Sequence, residues 1–170
     1  MDKVISAMLL VLAAVIGVGL VLNSALPAIG RASGAVSSSS AAVDERLKTQ
    51  IEIIHTVGEL DSSGVWQDTN GNGRFDVFVW VKNVGAARIV AEEECDVFFG
   101  EQGDFDRIPY TGDAGGGYPQ WNYETENNTE WVPGATTKFT ISYSAALSQG
   151  TYMIKVTTPT GVVDEDFFSM

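Results

Sequence analysis

Sulfur, imidazole and positive charge are all scarce in this chain. Cys95 is the single cysteine and His55 the single histidine among 170 residues. One cysteine excludes an intrachain disulfide framework. With one imidazole, neither a His/Cys zinc cluster nor a Ser-His-Asp triad is readily assembled from the chain. Lys and Arg number 10 against 22 Asp and Glu, a formal net charge of −12. An acidic surface repels phosphates, which argues against nucleic acid and against an anionic membrane surface as partners. These absences lead us to expect a protein that is not an enzyme and requires no cofactor. Cys95 lies between Glu94 and Asp96; neighbouring carboxylates disfavour a thiolate, so an inert, buried thiol is expected.

Charge is missing altogether from residues 4–22, VISAMLLVLAAVIGVGLVL, where Ser6 is the only polar side chain. A helix over these residues is about 28 Å long, close to the hydrocarbon thickness of a bilayer. The run is long for the apolar region of a secretory signal, and Asp2-Lys3 is weakly basic for its leader. Two readings remain: a membrane span, or an apolar helix that leaves the bilayer and packs against copies of itself.

The apolar pattern continues beyond the span. Val4, Met8, Leu12, Val15, Val18, Leu22, Leu26, Ile29, Val36, Val43 and Leu47 follow a three-four spacing, the signature of one helical face. Ser33 and Ser40 sit in the same series, which runs on to Ile51 and Ile54. Most residues between Ala25 and Ala42 are Ala, Ser or Gly, which allow close approach of neighbouring helix backbones. Pro27 is expected to kink the helix. A helix over 1–52, about 75 Å long, needs other chains to cover it. The competing reading is a single-pass anchor followed by a flexible linker at the four serines 37–40.

From Ile51 the period changes to that of strands. Residues 75–83 (FDVFVWVKN) form the clearest strand pattern, with Asn-Gly turns in front and Gly85 behind. Further strands are predicted over 88–91, 96–99, 108–110, 121–124, 136–143, 151–157 and 162–168. Short strands separated by Gly, Pro and Asn indicate an antiparallel, immunoglobulin-like β-sandwich over 53–170. The fold class is therefore α+β: a long N-terminal hydrophobic helix over 1–52, then the sandwich.

The sharpest local motif is Asp68-Thr69-Asn70-Gly71-Asn72-Gly73-Arg74-Phe75-Asp76. Oxygen side chains at relative positions 1, 3, 5 and 9, with Gly at 6, match the first part of a calcium loop. A hard cation such as Ca2+ would draw on Asp68, Asn70, Asn72, the Arg74 carbonyl and Asp76. Val79 occupies the twelfth position, where a bidentate Glu is usual. The alternative is a hairpin turn alone, since Asn-Gly is a strong turn signal. Asn127-Asn128-Thr129 is an N-glycosylation sequon. The acidic runs at 92–94 and 164–166 read as solvated strand ends. All four tryptophans are expected to pack within the domain, Trp80 on a packed strand face; the alternative is contact with a partner chain, for which Trp121 and Trp131, in loop-like stretches, are the better candidates.

The apolar run, the transition Leu47-Lys48-Thr49-Gln50-Ile51-Glu52-Ile53-Ile54-His55, the strand Val79-Trp80-Val81-Lys82-Asn83-Val84-Gly85 and the late Gly150-Thr151-Tyr152 … Thr160-Gly161-Val162 resemble the archaeal flagellin (archaellin) family, within the type IV pilin-like superfamily. The resemblance implies a structural subunit of an archaellum-type motility filament, a homo-oligomer whose helices form the core and whose β domains form the sheath. It also implies transient residence in the membrane, an assembly platform as partner, contact with other filament subunits, a surface location, and a leader removed by a prepilin-type peptidase. Ile5 stands where type IV pilins usually carry Glu, and no basic leader ending in Gly precedes the run. The expected function is that of a mature filament subunit; the alternative is a membrane-anchored, stator-like relative that binds the envelope through an extracytoplasmic sandwich.

Overall fold

The computed structural model describes residues 2–170, apart from the side chains of Ser24, Ala25, Ala28, Ile29, Ala42 and Glu45. Ile29, one of the expected assembly positions, therefore lies outside the described side chains. The chain divides into two compact units, Met1–Val43 and Asp44–Met170.

The first unit belongs to helix α1, Asp2–Lys48, which carries Pro27 in its interior. Proline removes one backbone donor, and the helix accommodates it without ending. Asp2 in the first turn and Arg46 and Lys48 in the last complement the helix dipole. The helix stops at Lys48, short of the expected 52. Ile51 and Ile54 do not extend the stripe; they belong to the first strand. The reason is chemical: the β-branched pairs around Ile53 favour extended backbone, and the fold offers a strand partner for them.

The second unit contains eight strands among the described residues: β1 Ile51–Gly58, β2 Phe75–Asn83, β3 Asp96–Glu101, β4 Asp104–Ile108, β5 Gln120–Glu126, β6 Thr136–Tyr143, β7 Thr151–Thr157 and β8 Val163–Ser169. They form two four-stranded antiparallel sheets, ordered β1-β2-β6-β5 and β4-β3-β7-β8. Alternation in β2 sends Phe75, Val77, Val79 and Val81 into the core, where none is exposed. They meet Phe139 and Ile141 of β6, and Val97, Phe99, Ile154 and Val156 of the facing sheet. Phe99 and Tyr152 stack with ring centroids 5.5 Å apart.

Two sequence expectations fail locally. Residues 88–91 do not form a strand: Ile89 makes an isolated bridge to Trp131, and Glu92–Glu94 turn as a short 3-10 helix entered through a left-handed Ala91. The strand expected at 108–110 ends at Ile108, because the hairpin with β3 is set by the turn after Glu101. In β1 the register shifts between Ile53 and His55. This bulge frees the Ile53 amide, which donates to Asp164 Oδ2 of β8 at 2.7 Å and ties the edge of one sheet to the other.

Candidate functional site

Asp2–Asn23 is long and apolar enough to cross a membrane, and none of it is buried within the chain. Val4, Met8, Leu12, Val15, Val18 and Leu22 are exposed, and so are Ile5, Leu9, Leu10, Ile16 and Leu20 on the other faces. A helix apolar all round needs an apolar solvent on every side. Beyond Asn23 the exposed apolar residues thin to Leu26, Val36, Val43 and Leu47 among Ser and Gly. No Cβ added at Gly17, Gly19, Gly30 or Gly34 would meet another atom within 4 Å. Within α1 itself, the described stripe residues and these four glycines are thus uncovered.

The sandwich is built to receive the end of that helix. Asn83, fully buried, accepts the Gly85 amide on Oδ1 at 3.0 Å and donates through Nδ2 to the carbonyls of Ala87 and Trp131, both at 2.9 Å. The turn it holds presents the amides of Ala86 and Ala87 to the Lys48 carbonyl at 2.7 and 3.1 Å, and those of Val84 and Gly85 to the Gln50 carbonyl at 2.9 and 3.0 Å. Helix ends leave carbonyls without partners, and this turn supplies donors to one of them. A Cβ on Gly85 would collide with the Lys48 carbonyl and the Gln50 amide. Arg46 Nε donates to the Thr160 carbonyl at 2.7 Å. The Asn83-Val84-Gly85 sequence, notable in the primary structure only through a family likeness, is therefore the clamp on the helix exit. Its signal was an Asn and a Gly spaced by one residue at a strand end.

The Asp68–Asp76 motif forms a compact loop before β2. Asp68 accepts the amides of Gly71 and Asn72 on Oδ1 at 2.7 and 3.2 Å, and that of Gly73 on Oδ2 at 2.8 Å. Gly71 and Gly73 have φ of 71° and 67°, left-handed values that favour glycine. Asn70 and Asn72 Nδ2 both donate to Asp76 Oδ2, at 2.7 and 2.8 Å. Asp76 is 0 % exposed, and its other oxygen, Oδ1, is buried without a hydrogen-bond partner. Arg74 turns its guanidinium 4.1 Å over the Tyr118 ring. Among the described residues no group of three or more His, Cys, Asp or Glu side chains could hold a metal; the loop combines carboxylates with amide oxygens instead. Sequence reasoning missed Glu59, a buried carboxylate beside the loop that accepts the Thr69 amide at 2.6 Å.

The remaining candidates fall elsewhere. Trp121 and Trp131 are not partner-facing: both are buried, packing on Phe139 with ring centroids 5.4 and 5.7 Å away. Their flanking Asn and Pro residues look like loop, yet β5 and the Ile89 bridge draw both rings inward. Trp80 and Phe78 lie on the outer face of β2, where Trp80 stacks on His55 at 5.4 Å. Beside them Ile54, Glu126, Asn127 and Pro133 border a shallow groove. Asn127 is exposed on the turn that follows β5. Glu93 accepts the Tyr123 hydroxyl at 3.2 Å; burial and then that bond raise the Tyr123 pKa to about 12. Cys95 is buried, and burial, reinforced by Glu92, Asp96 and Glu93, lifts its thiol to about 12. The expected inert thiol is what the fold contains.

No family model matches the chain. An uncharacterized protein of Archaeoglobus fulgidus is 28% identical over 172 residues, 98% of each chain. Among solved structures, the archaellum periplasmic stator protein FlaG from Sulfolobus acidocaldarius matches with a TM-score of 0.54 and 26% identity, covering 71% of this chain and 99% of that one. The complex of the stator proteins FlaF and FlaG from the same organism matches with a TM-score of 0.53 and 26% identity, covering 71% of this chain and 89% of that one. The chain is similar to archaellum stator proteins. The likeness carries the archaellum relation expected from the sequence, through stator proteins, and does not show an archaellin filament subunit.

Proposed function

We propose that this chain is a membrane-anchored, stator-like component of an archaellum-type motility apparatus. Residues 2–23 anchor it in the bilayer, and the β-sandwich works on the extracytoplasmic side as a fixed contact between membrane and envelope. The similarity of this chain to the periplasmic stator protein FlaG, over 71% of this chain and 99% of that one, carries this reading. A span apolar on all faces supports lipid as its resting solvent. The function is mechanical, with no catalysis. The FlaF–FlaG complex supports a second archaellum protein as partner. On that side of the membrane Asn127 is a glycan acceptor, which the intact mass of native material tests.

The second reading is the filament subunit. Exposed Leu26, Val36 and Val43, beyond the length a bilayer covers, favour helix-helix packing there. Electron microscopy of the full-length chain after detergent removal separates the two. A stator reconstitutes into vesicles as discrete particles. Helical filaments growing from the purified chain alone would overturn the stator reading.

A further inference from the structure

We propose that the Asp68–Asp76 loop is a calcium site. The motif alone would be a turn with acidic ends; what points to a ligand is Asp76. This carboxylate is wholly buried, its Oδ2 draws in two amide groups, and its Oδ1 has no partner. Buried polar atoms in folded proteins are almost always hydrogen-bonded, and an orphan carboxylate oxygen is among the most unfavourable exceptions. Among the described residues no cation pairs with Asp68, Asp76 or Glu59, and Arg74, the only basic residue of the loop, is turned onto Tyr118. Negative charge thus gathers at the loop without a counter-ion.

The donor set selects the ion. Asp68, Asn70, Asn72, the Arg74 carbonyl and Asp76 offer only oxygen, from carboxylate, amide and backbone sources. Asn70 and Asn72 Oδ1 accept the amides of Asn72 and Arg74 at 3.0 and 2.7 Å, and each amide oxygen keeps a second lone pair that an ion beside Asp76 would take up as it displaces the Nδ2 groups. Calcium accepts six to eight oxygens in irregular geometry, whereas magnesium demands an octahedron and retains its waters. Zinc and copper prefer imidazole and thiolate. With Val79 buried in β2 and supplying no twelfth-position carboxylate, water completes the shell and the affinity is weak. A dissociation constant on the order of 0.1–1 mM, the range of extracellular calcium modules, is expected. The ion would lock the loop that leads into the central core strand β2. This inference does not depend on the stator reading.

The test uses the full-length protein in detergent, stripped with chelator and titrated with CaCl2 or MgCl2 under calorimetry and thermal unfolding. Calcium should bind at one equivalent per chain and raise the midpoint of unfolding, with magnesium at least tenfold weaker. Asp76→Asn should abolish binding. Because that buried substitution can impair folding, Asp68→Asn and Asn72→Ala, both at exposed positions, provide the control and should each weaken binding at least tenfold. Absence of both binding heat and thermal shift at 10 mM calcium would overturn the proposal, as would unchanged affinity in the Asp68→Asn and Asn72→Ala proteins.

Discussion

Helix α1 and the sandwich solve opposite solvation problems with the same kinds of residue. In residues 2–23 large aliphatic side chains point outward on every face and none of the span is covered by the chain. In β2, Val77, Val79 and Val81 point inward and are wholly buried, while Phe78, Trp80 and Lys82 face out. A valine in the span gains nothing from the protein's own fold; a valine in β2 depends on it entirely. The comparison teaches that hydrophobicity locates burial, while period decides what does the burying. A continuous run requires a surrounding medium, and an alternating run requires a second sheet.

The sharpest way to break this contrast is to change one region and look for effects in the other. Trp131→Ala removes a fully buried ring, with a loss of about 3–5 kcal/mol of sandwich stability. Chemical denaturation of the full chain in detergent should report that loss, and membrane association should stay as in the wild type. Leu12→Lys does the reverse. A lysine at the centre of the span disfavours insertion by about 2.5–3.5 kcal/mol, which carbonate extraction of membranes reads, while the unfolding midpoint of the sandwich should not move. An equal shift of both observables by either substitution would show that the two regions are not independent.

Where helix meets sandwich the effect should be intermediate. Gly85→Ala forces a methyl against the Lys48 carbonyl and the Gln50 amide; overpacking of this kind costs about 1–3 kcal/mol. Amides of Ala86 and Ala87 should gain hydrogen-exchange rate before those of the β2 core. The smallest effect is that of alkali. Burial raises the Cys95 thiol from 9.0 to about 12, so the folded protein holds a proton that the unfolded chain releases. Its contribution to stability is complete below pH 9 and falls as pH rises toward 12, by at most about 1.4 kcal/mol per pH unit. Tyr123, raised to about 12, adds to the loss above pH 10. Stability against denaturant between pH 8 and 11 should fall less steeply in Cys95→Ala, and leave the span unaffected.

Much of the fold was legible because its signals are local and repeated. The β6 and β7 bounds, Thr136–Tyr143 and Thr151–Thr157, match the sequence expectation, since β-branched alternation bounded by turn residues leaves little choice. The end of α1 falls short of the expected bound because Leu47, Ile51 and Ile54 continue a helical spacing only by chance of register. Ile51 and Ile54 belong to β1, and the Lys48 carbonyl is bonded by the turn that Asn83 holds, thirty-odd residues away in sequence. The partner-contact alternative for Trp121 and Trp131 fails for a related reason. Their burial is decided by Phe139 and by the bridge to Ile89, contacts no window of neighbouring residues contains. Of the candidate sites, the loop oxygens were legible as a pattern. The orphan Asp76 oxygen and the neighbouring Glu59 were not, because both depend on what covers them. The helical stripe reads as a filament core, yet the two solved structures described above are of stator proteins. A helix exposed on every side records that it needs an apolar medium, and not whether lipid or its own copies provide it.

The most direct measurement of the central claim is where the protein resides in motile native cells. After shearing, surface filaments and membranes are separated and probed with an antibody to the sandwich. The stator account predicts that the protein stays with the membrane fraction, with the sandwich digestible by protease added from the extracytoplasmic side. Recovery of the protein as a main component of the sheared filaments would contradict it.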